Sequence, residues 1–207
     1  MIAGNPNPTD TWSDGQPRWE WRIFQPAPFP QDLLPETLSP LRSVESAETY
    51  LVCTGSSLNF KIRDGHLEVK HLLNRSGDGL EQWEAVFKSA FPMTPRRFQR
   101  LQSLECGFPQ APDSALETEN DFIDAYRELE GIRLIPVLKS RSVFHTGSTL
   151  FDHVRLQIGR KDFYSLAVED VDEKKVRGWV LSMEFDPSQN TNYPAGLSHF
   201  AQRELFS

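Results

Sequence analysis

Cysteine is scarce in this chain: Cys53 and Cys106 are too few for a disulfide framework and have no metal-ligand spacing, so two ordinary thiols are expected. A long apolar run is missing as well, since nothing approaches the roughly 18 residues a membrane-spanning helix needs. The N-terminus, Met-Ile-Ala-Gly-Asn-Pro-Asn-Pro, has neither the charged nor the apolar region of a signal peptide. The expectation is a cytoplasmic protein with no membrane partner. There is no basic excess either: 22 Lys and Arg stand against 29 Asp and Glu, a net charge of −7. That balance argues against wrapping extended nucleic acid, but it leaves room for a local basic site that holds a small anion.

What is present is an ordinary globular composition, 38% hydrophobic with a mean hydropathy of −0.49. A chain of 207 residues can bury a real core as one domain. Residues 1–17 carry Pro, Asn, Asp, Gly and Ser without period and read as a flexible leader, which leaves 18–207 as the domain.

The strongest local signal runs from Leu58 to Leu72. Asp64-Gly65 suits a two-residue type I′ turn, in which both residues need positive φ, and it sits between two alternating runs. A hairpin closed there pairs Arg63 with His66, Ile62 with Leu67, Lys61 with Glu68, Phe60 with Val69 and Asn59 with Lys70. One face is then apolar, while Asn59, Lys61, Arg63, Glu68 and Lys70 share the other. Such a face can look at water. Later segments repeat the pattern, however, and a barrel with inward charges accounts for all of them.

Arg18 to Phe24 alternates as a strand, with Trp19, Trp21 and Ile23 toward a core and Arg18, Glu20 and Arg22 on the other side. Pro26 to Pro40 holds five of the 15 prolines and reads as a connection, with a short helical turn at Asp32 to Leu34. Glu48 to Cys53 is a further strand. Between Gly79 and Gly131 the spacing predicts a helical insert: one helix on Leu80, Trp83, Phe87, Ala90 and Phe91, a second from Pro95 through Leu101, and a third over Leu116 to Glu130. Strands resume over Ile135 to Phe144, Phe151 to Ile158, Phe163 to Asp172 and Trp179 to Asp186, before a final amphipathic helix from Tyr193.

Lys61, Arg63, Lys70, Lys139, Arg141 and Arg155 would then face inward together, with Glu20, Glu169 and Glu184 on the outer strands in chain order. So many converging cations repel one another unless a polyanion lies among them, because an unpaired buried charge costs several kcal/mol. Carboxylates beside such an anion make a place for a hard divalent cation, Mg²⁺ or Mn²⁺, bridging acids to phosphates.

Over residues 18–200 the chain resembles the CYTH, or triphosphate tunnel, superfamily of inorganic and thiamine triphosphatases and class IV adenylate cyclases. Trp19-Glu20-Trp21-Arg22 is similar to its opening Glu-x-Glu-x-Lys strand, Lys61-Ile62-Arg63 to its Arg-x-Arg strand, and Glu68-Val69-Lys70 to the lysine strand that follows. Lys139-Ser140-Arg141 resembles its Lys-x-Arg strand, and the late acids Glu169, Asp170, Asp172 and Ser182-Met183-Glu184 its closing Glu-x-Glu. Arg18 stands where the first opening glutamate would be, Arg22 replaces the lysine, and Ser182 replaces one closing acid. The resemblance implies an α+β fold, an antiparallel eight-stranded barrel with helices packed outside. It implies a small-molecule triphosphate or nucleotide bound by Arg22, Lys61, Arg63, Lys70, Lys139, Arg141 and Arg155, and a metal held by Glu20, Glu169 and Glu184. Catalysis would fall to Glu20, Lys61, Arg63, Lys70, Lys139 and Arg141 in a metal-dependent triphosphatase. A non-catalytic polyphosphate binder on the same scaffold and a partner-binding β domain are the alternatives.

Overall fold

A computed structural model describes residues 15–205 except 31, 36, 37, 54, 104–113 and 128, and the side chains of all of these except 100 and 202–205. Most of the predicted leader, and Cys106, lie outside the described residues. No described helix is long and apolar enough to cross a membrane.

Eight strands form a closed barrel: β1 (Arg18–Gln25), β2 (Ser39–Cys53), β3 (Leu58–Arg63), β4 (His66–Arg75), β5 (Glu81–Ala90), β6 (Ile132–Thr146), β7 (Thr149–Ile158) and β8 (Lys161–Asp170). Around the barrel the order is β1-β5-β4-β3-β2-β6-β7-β8, and every neighbouring pair is antiparallel. The β3–β4 hairpin has the predicted register, from Arg63 opposite His66 to Asn59 opposite Lys70. Asp64 and Gly65 both take positive φ, 51° and 73°, as a type I′ turn requires.

Most strands bury their apolar faces outside the barrel, beneath helices. Trp21, Leu166 and Val168 pack with Val176 and Val180 of α3 (Glu173–Ser182). Phe60, Ile62, Leu67 and Val69 pack with Phe98 and Leu101 of α1 (Pro95–Gln102) and with Phe122 and Tyr126 of α2 (Glu119–Arg127). Pro95 opens α1 at a position where its missing N–H costs nothing. Thr118 and Asp121 cap α2 by exchanging bonds between their side chains and backbone N–H groups, at 3.1 and 2.8 Å.

The inward faces follow a gradient. At one end Val52, Ile135, Val137, Leu156, Ile158 and Phe163 meet Tyr193, Leu197 and Phe200 of α4 (Tyr193–Leu205), which closes that end with an apolar plug. Further along the same strands the inward positions become Tyr50, Lys139, Arg141, Asp152, Glu169, Arg22 and Glu20, and these line a chamber.

Two predicted elements are corrected. The segment Leu80 to Phe91 is not a helix: Glu81–Ala90 is β5, paired on both sides with β4 and β1. The β4–β5 register shifts between Val69 and Lys70; Phe87 packs in the outer core, and both it and Ala85 border the chamber. Trp179 to Asp186 is not a strand, for the chain turns helical at Glu173 where the Asp172 carboxylate accepts from Lys174 N at 2.9 Å. The predicted turn at Asp32 to Leu34 is a single turn, with Leu33 N donating to Pro30 O at 3.2 Å.

The plug yields a test. A Cβ placed on Gly196 would sit 2.6 Å from the Phe24 ring, which packs between Tyr193 and Phe200. Gly196→Val should therefore destabilise the protein by roughly 1–3 kcal/mol, as overpacking does. A urea midpoint equal to wild type would show that α4 is not docked against β1.

Candidate functional site

The chamber has a volume of about 330 Å³. Seven cationic side chains line it, Arg22, Lys61, Arg63, Lys70, Lys88, Lys139 and Arg141, against four acidic ones, Glu20, Glu68, Asp152 and Glu169. The aromatic rings of Tyr50, Trp83, Phe87 and Tyr193 and the amides of Asn59 and Asn192 are also part of the wall. Period-two alternation places them: Lys61 and Arg63 on β3, Glu68 and Lys70 on β4, Lys139 and Arg141 on β6, and Glu20 and Arg22 on β1 each sit two residues apart.

On one wall the acids are shared. Glu68 takes Lys61 Nζ at 2.9 Å, Arg63 Nη2 at 2.9 Å and Lys88 Nζ at 2.9 Å. Glu48, which is buried, accepts from Lys139 Nζ at 3.1 Å and from the Tyr50 hydroxyl at 2.7 Å, and pairs with Arg63 at 3.5 Å. Burial raises both carboxyls, yet the surrounding cations outweigh it: Lys139 and Lys61 bring Glu48 to about 2, and Lys61, Lys88 and Arg63 bring Glu68 to about 2. The lysines move down in turn. Burial lowers Lys61 and Lys139 to about 8 each, although Glu48 resists the shift in both.

The opposite wall is built around Arg22, which is 2% exposed. Its Nε donates to Glu20 Oε1 at 2.8 Å and its Nη1 to Ser165 Oγ at 3.1 Å. Its Nη2 lies 3.7 Å from Asp152 Oδ2 and 3.7 Å from Glu169 Oε1. The guanidinium carbon stands 4.4 Å over the Tyr193 ring. Asp152 receives both its oxygens' worth of contact from Arg141 Nη2, at 2.7 and 2.6 Å. Burial raises the Glu20 carboxyl, Arg22 offsets part of that, and Glu169 pushes it up further. Glu169 is also opposed by burial, but Lys70, Arg22 and Arg141 hold it at about 2.

Lys70 stands apart. It is the one chamber cation to which the described residues bring no carboxylate within ion-pairing distance, though the longer-range fields of Glu169 and Glu20 outweigh burial and raise it.

Of the residues expected from sequence, the chamber brings together Glu20, Arg22, Lys61, Arg63, Lys70, Lys139, Arg141 and Glu169. Two lie elsewhere. Arg155 points off the outer face of β7 to Asp162 at 2.8 Å, because the inward positions of that strand are Asp152 and Val154. Glu184 is exposed just past the end of α3 with φ 63°, where Glu184 N bonds Leu181 O and Phe185 N bonds Val180 O to close the helix. Asp152, Glu48, Tyr50, Trp83, Lys88 and Tyr193 were not expected. Asp152 alternates with outward residues in the same way as the residues that were recognised.

A divalent cation implied through Glu20, Glu169 and Glu184 does not fit these residues. Glu184 is outside the barrel, and Glu20, Asp152 and Glu169 already converge on the Arg22 guanidinium. Among the described residues no group of three or more His, Cys, Asp or Glu side chains is placed to hold a metal ion.

No protein-family model matches the chain, and no curated protein matches it. Among solved structures it is similar to a conserved hypothetical protein from Pyrococcus furiosus, at 14% identity and a TM-score of 0.47 over 84% of this chain and 98% of that one. It is similar to the PH1012 protein of Pyrococcus horikoshii, at 13% identity and a TM-score of 0.48 over 86% and 98%. A candidate adenylate cyclase from Bacillus halodurans gives 11% identity and a TM-score of 0.36 over 84% and 94%.

The paired acids set an acid limit on the fold. Glu48, Glu68 and Glu169 have folded values near 2 against an ordinary 4.5, so their contribution is complete above about 4.5 and is lost as pH falls toward 2. Glu20, raised, works in the opposite sense but is one group against three. The urea midpoint should hold steady down to pH 5 and then fall steeply by pH 3. A midpoint unchanged at pH 3 would show that these carboxylates are not held as ion pairs.

Proposed function

We propose that the barrel binds a small molecule carrying a triphosphate group, and that it binds without hydrolysing it. The observation that carries this reading is the imbalance in the chamber: Glu68 is divided among three cations, and Lys70 has no acid partner at contact distance. Converging ammonium and guanidinium groups that share too few acids are complementary to phosphate oxygens. Tyr50, Trp83 and Ala85 add an apolar flank for the organic part of an ester or anhydride. A partner-binding β domain would carry these charges outward, whereas here they face the lumen. Extended nucleic acid does not suit a chamber of about 330 Å³ within a barrel, in a chain of net charge −7.

Hydrolysis assisted by Mg²⁺ or Mn²⁺, which the resemblance implies, has less support, because the acids that would hold the ion are engaged with Arg22. The deciding experiment is calorimetric binding of tripolyphosphate, a nucleoside triphosphate and thiamine triphosphate, run beside a phosphate-release screen with both metals. Binding without release is the expected outcome. Release from any of these compounds would replace binding with hydrolysis.

Within that assay Lys70→Met should weaken tripolyphosphate binding at least tenfold, since a charge-assisted contact is worth about 1.5–3 kcal/mol. Arg155→Ala, on the outer face, should leave the dissociation constant unchanged. An unaltered constant in the Lys70 variant would remove the chamber as the binding site.

The lysines add a pH signature. Burial brings Lys61 and Lys139 down to about 8 in the free protein. A bound polyanion favours their charged forms, so binding at pH 9 should take up protons and be weaker than at pH 7. Calorimetry in two buffers of different ionisation enthalpy reads that uptake directly, and none at pH 9 would place the two lysines away from the anion.

A further inference from the structure

Arg22 occupies the point where the acids of the chamber meet. Glu20, Asp152 and Glu169 come from three different strands, β1, β7 and β8, and none is an immediate chain neighbour of another. Three carboxylates brought together in a closed lumen need positive charge among them, and there are two ways to supply it: a divalent ion or a fixed side chain. Here the supply is covalent. The guanidinium has an acceptor or a carboxylate on each edge, at 2.8 Å to Glu20, 3.1 Å to Ser165 and 3.7 Å to both Asp152 and Glu169, with the Tyr193 ring beneath its face. A side chain anchored on so many sides and only 2% exposed cannot swing aside to admit an ion without stranding its own charge.

The metal alternative is also poorly served by what would remain. Both oxygens of Asp152 contact Arg141, and Arg18 lies 3.9 Å from Glu169. A Mg²⁺ ion needs near-octahedral oxygen coordination at about 2.1 Å, and a guanidinium at the centre of the acids repels it. Arg18 and Arg22 frame Glu20 within the same strand, so the opening strand supplies more positive than negative charge.

We propose that Arg22 is a resident cation that takes the place of a divalent metal, so that the barrel binds its triphosphate without Mg²⁺ or Mn²⁺. The triphosphate half of this inference rests on the function proposed above; the cation half does not. Arg22 acts as a positioning residue: it neutralises the three acids, which would otherwise repel phosphate, and leaves Lys70 and Arg141 to meet the ligand.

The test begins with Mn²⁺ alone, titrated into the wild-type chain and followed by electron paramagnetic resonance. No bound Mn²⁺ is expected at millimolar concentration, and one tightly held ion per chain would overturn the proposal. Arg22→Gln removes the cation and leaves three carboxylates, and should bind Mn²⁺ at least tenfold more tightly than wild type. Arg22→Lys keeps the charge and should stay free of Mn²⁺. A folded Arg22→Gln protein that gains no Mn²⁺ would also overturn the proposal. If circular dichroism shows that this variant does not fold, the wild-type titration decides alone. Separately, tripolyphosphate affinity for the wild type, referred to free ligand, should agree within twofold between EDTA and excess Mg²⁺. A tenfold loss in EDTA would restore the metal requirement. Failure to bind tripolyphosphate in either condition would defeat the binding function, while the Mn²⁺ titration would still report on Arg22.

Discussion

A barrel that turns the charged faces of its strands inward has to neutralise most of that charge within its own lumen, and this constraint shapes the rest of the structure. Water cannot do it fully where Arg22 and Glu48 are 2% and 4% exposed. Opposite charges therefore have to be matched across strands distant in sequence: Glu48 on β2 with Lys139 on β6, Arg22 on β1 with Asp152 on β7 and Glu169 on β8. Such buried pairs contribute little net stability compared with apolar packing, but breaking one strands a charge. Their effect is to fix which strand lies where. The residual positive charge, concentrated on Lys70 and on the cations that share Glu68, is what remains available to an anion.

Much of the barrel could be read before any coordinates, because alternation is a short-range signal and strong in these strands. The hairpin register, the strand Arg18–Gln25 and the strands β6 to β8 follow from it. Two elements did not follow. In β5 the spacing of Leu80, Trp83, Phe87 and Ala90 imitates a helical stripe, since the bulge beside Val69 and Lys70 breaks the strict period of two. Across the end of α3 and the turn beyond it, Trp179, Leu181, Met183 and Phe185 imitate a strand, while Val176 and Val180, one helical turn apart, are the pair in α3 that is fully buried. The Asp172-Glu173 start was a usable helix signal. Eight strands were expected and eight are found, with β5 in place of the segment that became α3.

The same two errors account for part of what was missed in the site. Glu184 left the chamber with the misread strand, and Lys88, Trp83 and Ala85 entered it with the unrecognised one. Arg155 was assigned inward because it alternates with Val154, Leu156 and Ile158, but on β7 those apolar residues face the plug, so the face that carries Arg155 is the outer one. The clasp around Arg22 was not legible at all. It depends on β8 pairing with β1 and β7 with β8, a closure that brings residues more than 120 positions apart into contact and that no local pattern encodes.

The wrapping of the barrel by helices separates two kinds of inheritance along each strand. Residues such as Trp21, Phe60 and Leu166 face outward into apolar clusters that hold the fold together, whereas their immediate neighbours face the chamber. Substitution among chamber residues that keeps the charges matched can thus alter shape with little disturbance to the packing outside, whereas an unmatched change strands a buried charge. The outer shell therefore does not by itself dictate what the chamber holds.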